Sequence, residues 1–343
     1  MRRVLPCIMF VALAATHALS SQAASLPEKS GPSYHAERMA LIQEMKAFEA
    51  QNGFAPTNNF LEYDPDVQNY PQCYSAPKSY LPYSYMDPAI AGSAGAGTEQ
   101  ECDAFSMGRD WYFYASEAVA GIGGTPITPA MVESPLDRFM YLVFHEDCHE
   151  QILGLARGIN EAACDIIAME MMIKFAEEKF GIGSRENNLA KNYLTCYQEK
   201  SRIVNEASER LFLLYEDYAR KKVTKKDLLL KRAAIFREID EKFTEVRRND
   251  PTEYYRQIIF NNASLGFLLT YTRNQTLIEK VFDRLGHNLP QIVSFLRQVT
   301  KLQPGDEAIV EQYKLQDNFG VKFIRAEEAE MIKIINALAE KKP

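Results

Sequence analysis

The chain contains few histidines, five in 343 residues, and a single tryptophan. Basic residues are also outnumbered: 39 Lys and Arg stand against 46 Asp and Glu, a formal net charge of −7. Because a phosphate backbone attracts a basic surface and is repelled by an acidic one, we expect no nucleic-acid partner. With so few histidines in the chain, the position of each one is informative.

Long apolar runs are absent except at the amino end. Two arginines precede an apolar stretch over 4–19, and Ser21 and Ala23 suit a cleavage site. This pattern predicts a signal peptide over 1–23 and a secreted or periplasmic mature chain over 24–343. No lipoprotein box is present, and no membrane span is expected after cleavage. The alternative, a membrane anchor, needs a longer and less interrupted apolar run.

Cysteine is sparse as well, and five cysteines lie outside the predicted signal peptide. In an oxidising compartment an odd number allows at most two disulfides and leaves one thiol. Cys73 and Cys102 lie in loop-rich sequence, where a covalent link helps, so we predict that pair first. For Cys148 we expect packing, or pairing with Cys164.

The predicted fold class is mainly α (α+β), with a small sheet and a long helical hairpin. Proline and glycine are concentrated before residue 134, and residues 58–101 predict an extended loop. The aromatic run 109–116 predicts a short strand. Helical periodicity dominates afterwards and predicts one domain over 24–343 with a hairpin excursion over 185–250. Two helices begin with clear signals: one at Ser134-Pro135 that runs to about 153, and one over 161–180 capped by Asn160. The first amphipathic stretch of the hairpin follows from Arg185.

Residues 145–149 read His-Glu-Asp-Cys-His, the HExxH pattern, inside the helix predicted from Ser134. Histidines at i and i+4 share a helix face, so His145 and His149 can bind one Zn²⁺ ion, and Glu146 can reach a water in the open position. Glu161, at the start of the next helix, can serve as third metal ligand. Asp165, one turn later, can accept the outer N–H of a ligating histidine.

A purely structural origin of this pattern is the alternative. His145 and His149 would then be hydrogen-bonded core residues, but Glu146 would be buried without a partner, which is costly. Asp147 adds negative charge within the motif, and we expect it to raise the pKa of a neighbouring carboxylate.

These motifs resemble the gluzincin zinc metallopeptidases, and the segment Gly158-Ile159-Asn160-Glu161-Ala162 resembles the glutamate helix of thermolysin-type enzymes. Segments 105–180 and 255–300 are similar to a family of predicted bacterial zinc aminopeptidases, through Phe144-His145-Glu146 and through Asn262 and Tyr271. The resemblance implies a zincin-like fold, a zinc cofactor, a peptide or protein substrate and aminopeptidase activity. It also implies that Tyr271 donates to a developing oxyanion, the alternative being a tyrosine that packs a helix interface. Asn262 is expected to contact the substrate or to support a residue of the site.

The sequence leaves more than one possibility open for how a substrate binds and which bond is hydrolysed. The extended segment 110–122 can offer its backbone edge to a peptide. An aminopeptidase needs an acidic group for the substrate amine, for which Glu117 is the candidate; the alternative for Glu117 is an exposed strand carboxylate. Endopeptidase action, hydrolysis of a non-peptide cell-envelope amide, and an inactive secreted zinc-binding scaffold remain alternatives.

Overall fold

Helices make up most of the protein, as predicted, and one small sheet accompanies them. A computed structural model describes residues 32–93, 95–119, 124–248 and 258–341. The predicted signal peptide and the last two residues of the predicted hairpin lie outside these ranges. The elements in chain order are α1 (Pro32–Gln51), β1 (Tyr70–Ala76), β2 (Ala91–Ser93), α2 (Glu99–Ser106), β3 (Asp110–Ser116), α3 (Pro129–Glu133), α4 (Leu136–Gln151), α5 (Arg157–Phe180), α6 (Arg185–Ala219), α7 (Lys225–Arg248), α8 (Asn262–Thr272), α9 (Gln275–Arg284), α10 (Leu289–Leu302), α11 (Asp306–Tyr313) and α12 (Val321–Lys341).

The sheet has three antiparallel strands in the order β2-β1-β3. Residues of β3 alternate between buried and half-buried positions, as expected for a strand with one face on the core. The disulfide Cys73–Cys102 joins β1 to α2, so the predicted pair is confirmed. The prediction of an irregular loop over 58–101 was wrong, because β1, β2 and the start of α2 lie there.

Helix α5 lies at the centre of the packing, in contact with α4, α6, α8 and α9. A large apolar core surrounds α4 and α5 and includes side chains such as Phe139, Phe144 and Met171. A second core fills the space between the sheet, the α6–α7 hairpin and α8, with Phe267 among its fully buried side chains. The long hairpin therefore packs through an apolar stripe into the same core as the sheet and α8, as its amphipathic sequence predicts.

The start of α4 and the start of α5 both differ from the predictions. Ser134 ends α3, with its hydroxyl donating to the Met131 carbonyl, and Pro135 precedes the first turn of α4. A turn through Gly154, at φ +96°, separates the two helices, and α5 begins at Arg157. Asn160 therefore lies inside the first turn of α5 and is not its cap. Its side chain contacts His149 instead.

Candidate metal centre

Helix α4 presents His145 and His149 on the same face, one turn apart. The two side chains are almost completely buried, and their Nε2 atoms lie 3.0 Å apart. Two nitrogen lone pairs that face each other at this distance repel unless a proton or a metal ion lies between them. The spacing i, i+4 brings the rings together, as the sequence predicts.

Glu161 of α5 faces both rings. Its Oε2 atom lies 3.5 Å from Nε2 of His145 and 3.4 Å from Nε2 of His149, and it accepts no hydrogen bond. Within the described residues, these three side chains form a buried group able to hold a metal ion. A buried carboxylate oxygen without a hydrogen-bond donor has an uncompensated desolvation free energy. A cation bound between this oxygen and the two imidazoles would offset it.

The three separations allow a quantitative test of fit. Zinc binds nitrogen and carboxylate oxygen at roughly 2.0–2.1 Å in tetrahedral geometry, which puts neighbouring ligand atoms about 3.3 Å apart. The observed edges are 3.0, 3.4 and 3.5 Å. The three atoms thus form one face of a tetrahedron of nearly the right size, and the residues present fit a zinc ion.

The outer nitrogen of His149 is held by Asn160. The amide Nδ2 of Asn160 donates to the carbonyl of Ile152 at 3.1 Å, so its Oδ1 is the atom that faces Nδ1 of His149, at 2.6 Å. Because Oδ1 can only accept, Nδ1 carries the proton and Nε2 presents its lone pair to the centre. The sequence interpreted Asn160 as a helix cap and missed this role.

The outer nitrogen of His145 is held by Asp165, in the place that the sequence predicts. Oδ1 of Asp165 lies 2.9 Å from Nδ1, and the hydroxyls of Tyr141 and Tyr197 also donate to this fully buried carboxylate. Burial alone would lower the pKa of His145, but the adjacent carboxylates of Asp165 and Glu161 raise it to about 10. The two carboxylates therefore favour a positive charge at this position.

Glu146 is fully buried, and neither of its carboxylate oxygens has a hydrogen-bond partner. Burial raises its pKa, while the charges of His145 and His149 act in the opposite direction. Asn59 anchors its main chain, since the Nδ2 of Asn59 donates to the Glu146 carbonyl at 3.1 Å. A carboxylate held in this way, with a raised pKa and free oxygens, suits proton transfer.

Tyr85 is the residue at the centre that sequence analysis missed. Its hydroxyl donates to Oε1 of Glu161 at 2.8 Å, and Arg157 lies 3.7 Å from the same oxygen. For Glu161, burial raises the pKa, but the electrostatic attraction of the His149 and His145 rings and of Arg157 outweighs burial and holds the pKa well below the usual range. Tyr85 lies in the segment that the sequence predicted to be loop, where no spacing links it to Glu161.

Tyr271 lies close to this tyrosine, with the two ring centroids 6.2 Å apart. It is fully buried on α8. Burial, followed by the Glu161 charge, raises its pKa well above 10, so its hydroxyl stays protonated.

Glu117 and Asn262, the predicted substrate contacts, have protein partners. Glu117 is buried beyond the end of β3, and its Oε2 accepts from Nη2 of Arg138 at 2.9 Å, so the alternative of an exposed strand carboxylate was wrong. The Asn262 amide donates to two carbonyls, those of Pro77 and Tyr80, and its Oδ1 accepts from Tyr215 at 2.6 Å. These bonds occupy the Asn262 side chain in joining α8 to the segment after β1 and to α6.

Asp147, which also lies on α4, contacts a different set of residues. Its oxygens accept from Lys46, from Thr57 at 2.6 Å and from Asn59 at 3.0 Å. Burial is the main cause that raises the pKa of Glu49, and the Asp147 charge is the second, in agreement with the expected effect of this residue. Cys148 and Cys164 are buried free thiols, so packing is the outcome found for Cys148.

Comparison with known proteins identifies the chain at the family level. Residues 95–310 match a family described as "Putative aminopeptidase", and since this is more than half of the chain, the protein belongs to that family. The family description points to a peptidase. No curated protein and no solved structure gives a match. Among the described residues, no helix has the length and apolar character needed to cross a membrane.

Proposed function

From this family membership, we propose that the protein is a zinc-dependent aminopeptidase of the gluzincin type. The observation that carries the proposal is the placement of Glu146. Both of its oxygens lie buried without a partner, next to three ligand atoms that form a tetrahedral face. A structural zinc is closed by four protein ligands and needs no such carboxylate, so the arrangement favours catalysis over a scaffold.

The roles of the residues follow from their positions. A zinc ion held by His145, His149 and Glu161 would polarise the scissile carbonyl and acidify a bound water. Glu146 accepts a proton from the attacking water and delivers it to the leaving amine. Tyr271, protonated and packed against Tyr85, is the proposed hydroxyl donor to the developing oxyanion.

The sheet supports a peptide substrate. β3 pairs with β1 along one edge, and within the described ranges no other strand pairs with it. An extended peptide can add to such an edge through main-chain hydrogen bonds. Glu117 follows the last residue of β3 and is the proposed anchor for the substrate amine. Its Oε2 pairs with Nη2 of Arg138 at 2.9 Å, which fixes the orientation of the carboxylate at the end of the strand.

The proposed location is outside the cytoplasm, with cleavage before Ala24. The disulfide Cys73–Cys102 supports this, because such bonds persist in oxidising compartments. Amino-terminal sequencing of the protein from its native host tests it: a first residue Ala24 is expected, and a retained Met1 contradicts the proposal.

One experiment tests the activity. Metal content and cleavage of a mixed peptide library are measured with and without chelator, for the wild type, Glu146→Gln and Glu150→Gln. Glu150 lies one turn beyond Glu146 on the same helix and is half-exposed, so its variant is the matched control. We expect about one zinc per chain in all three, and a rate loss of roughly 10²–10⁴-fold or more for Glu146→Gln alone.

Each other result has a definite meaning. Undiminished turnover by Glu146→Gln contradicts the general-base role. Release of internal fragments instead of amino-terminal residues establishes an endopeptidase. Zinc without any peptide cleavage favours the scaffold or a non-peptide amide, and a chain that binds no zinc contradicts the whole proposal.

A further inference from the structure

Each of the three metal-binding side chains has a second polar atom that faces away from the centre, and each of these atoms has a protein partner. Asp165 holds His145 and Asn160 holds His149, and both partners come from α5, inside the family-matched segment. The partner of Glu161 is Tyr85, which precedes that segment. The third ligand thus depends on a part of this chain that the family match does not cover.

Contacts of the main chain and of the ring fix the position of the Tyr85 hydroxyl. The main-chain N–H of Tyr85 donates to Oγ1 of Thr270 on α8 at 3.0 Å. Its ring packs against Phe267 and Tyr271, with centroids 5.9 and 6.2 Å away. The phenol donates to Oε1 of Glu161 at 2.8 Å. A buried, packed donor of this kind selects one orientation of the carboxylate.

We propose that Tyr85 is a positioning residue that keeps Glu161 Oε1 out of the metal site and leaves Oε2 as the single oxygen facing the histidines. The inference rests on the proposed metal centre and adds a residue to it. Carboxylates bind metal ions through one oxygen or through both. A second oxygen would take up the position that a catalytic water needs, so the Tyr85 hydrogen bond keeps that position open.

The hydrogen bond from Tyr85 is the main constraint on the orientation of the Glu161 carboxylate. Arg157 also approaches Oε1, but at 3.7 Å this contact is too long for a hydrogen bond. Oε2 has no donor at all. Removing the phenol therefore frees the carboxylate to rotate and to offer both oxygens.

Cobalt substitution tests the inference without relying on catalysis. Visible absorption and the Co²⁺ dissociation constant are measured for the wild type, Tyr85→Phe and Tyr80→Phe. Tyr80 is the matched control, because its hydroxyl donates to a carboxylate of the same segment, Asp87, at 2.7 Å. For Tyr85→Phe we expect roughly 10- to 100-fold weaker binding and the weaker absorption typical of higher coordination numbers. Tyr80→Phe should match the wild type.

An unchanged spectrum and affinity in Tyr85→Phe overturns the inference, as does an equal change in Tyr80→Phe. Thr270→Val provides a second variant in case Tyr85→Phe does not fold: it removes the anchor of the Tyr85 main chain and keeps the phenol. A smaller shift in the same direction is expected, and no shift counts against the proposal. A wild type without metal overturns the inference together with the proposed function, whereas Tyr85-dependent metal binding without peptide cleavage overturns only the proposed function.

Discussion

Helix α4 carries two buried polar clusters, and they differ in how completely their groups are paired. Asp147, with its partners Lys46, Thr57 and Asn59, has a donor for each oxygen. At the metal centre, both oxygens of Glu146 and the Oε2 of Glu161 have none. Glu146 and Asp147 are equally buried and are neighbours in the same five-residue motif.

The difference separates a structural role from a functional one. A buried carboxylate that is fully paired has had its desolvation cost offset within the protein itself. The three unpaired oxygens at the metal centre lie on one side of α4, and their desolvation free energy is not offset until a ligand binds. The Asp147 cluster should therefore govern stability and the metal centre should govern binding and catalysis, and substitutions can separate the two.

The largest effect is expected from Glu161→Gln, compared with Asp147→Asn. Glu161→Gln removes the only anionic ligand, so zinc affinity should fall by more than the ~100-fold that loss of an outer partner causes. Asp147→Asn should leave one zinc per folded chain, although it lowers stability. Equilibrium dialysis with zinc checks both variants, and stoichiometric binding by Glu161→Gln at wild-type affinity would remove it from the ligand set.

The next effect concerns stability. Lys46→Met leaves the buried Asp147 charge without its cation, and we expect a loss of about 3 kcal/mol in the free energy of unfolding. The control is Lys179→Met, which breaks the exposed pair with Glu44 and should cost less than about 1 kcal/mol. Urea unfolding of the metal-free proteins measures both losses. Equal losses would contradict the structural role assigned to the Asp147 cluster.

The sequence predicts local features of this site well and distant ones poorly. The HExxH spacing places His145 and His149 on one face because α-helix geometry is local, and Glu161 follows within the next helix. Tyr85 is 76 residues from Glu161 and reaches it only through the packing of β1 and α8. The segment around Tyr85 is rich in tyrosine and proline, and it has no periodicity from which this contact could be predicted.

Two wrong predictions have physical reasons of the same kind. Asn160 has the residue type of a helix cap, but its oxygen is used by His149, a partner from another helix. β1 contains Pro71 and small residues, and it becomes a strand through its pairing with the aromatic strand β3. In both cases a tertiary contact outweighs the local preference.

A smaller effect is expected at the outer side of the metal centre. Asn160→Ala removes the acceptor for Nδ1 of His149, so the imidazole can turn and can carry its proton on either nitrogen. We expect zinc affinity to fall roughly 10- to 100-fold, with stability nearly retained. Asn52→Ala is the control, since its amide only donates to Phe48 within α1. Competition with a chelating dye gives the affinities, and equal values for the two variants would exclude the Asn160 role.

The smallest effect is a pH dependence at Glu49, which lies next to the Asp147 cluster. Burial, followed by the Asp147 charge, raises the pKa of Glu49 well above 4.5, so the folded protein keeps a proton that the unfolded chain releases above that pH. Stability from this group is therefore complete below about pH 4.5 and falls as pH rises towards the raised pKa, by at most about 1.4 kcal/mol per pH unit. Glu49→Gln cannot ionise, so its unfolding free energy should decline less steeply between about pH 5 and 8 than that of the wild type. Urea unfolding at several pH values measures both slopes. Parallel slopes would mean that Glu49 is ionised in the folded protein, so that a buried and incompletely paired carboxylate next to the Asp147 cluster carries a charge.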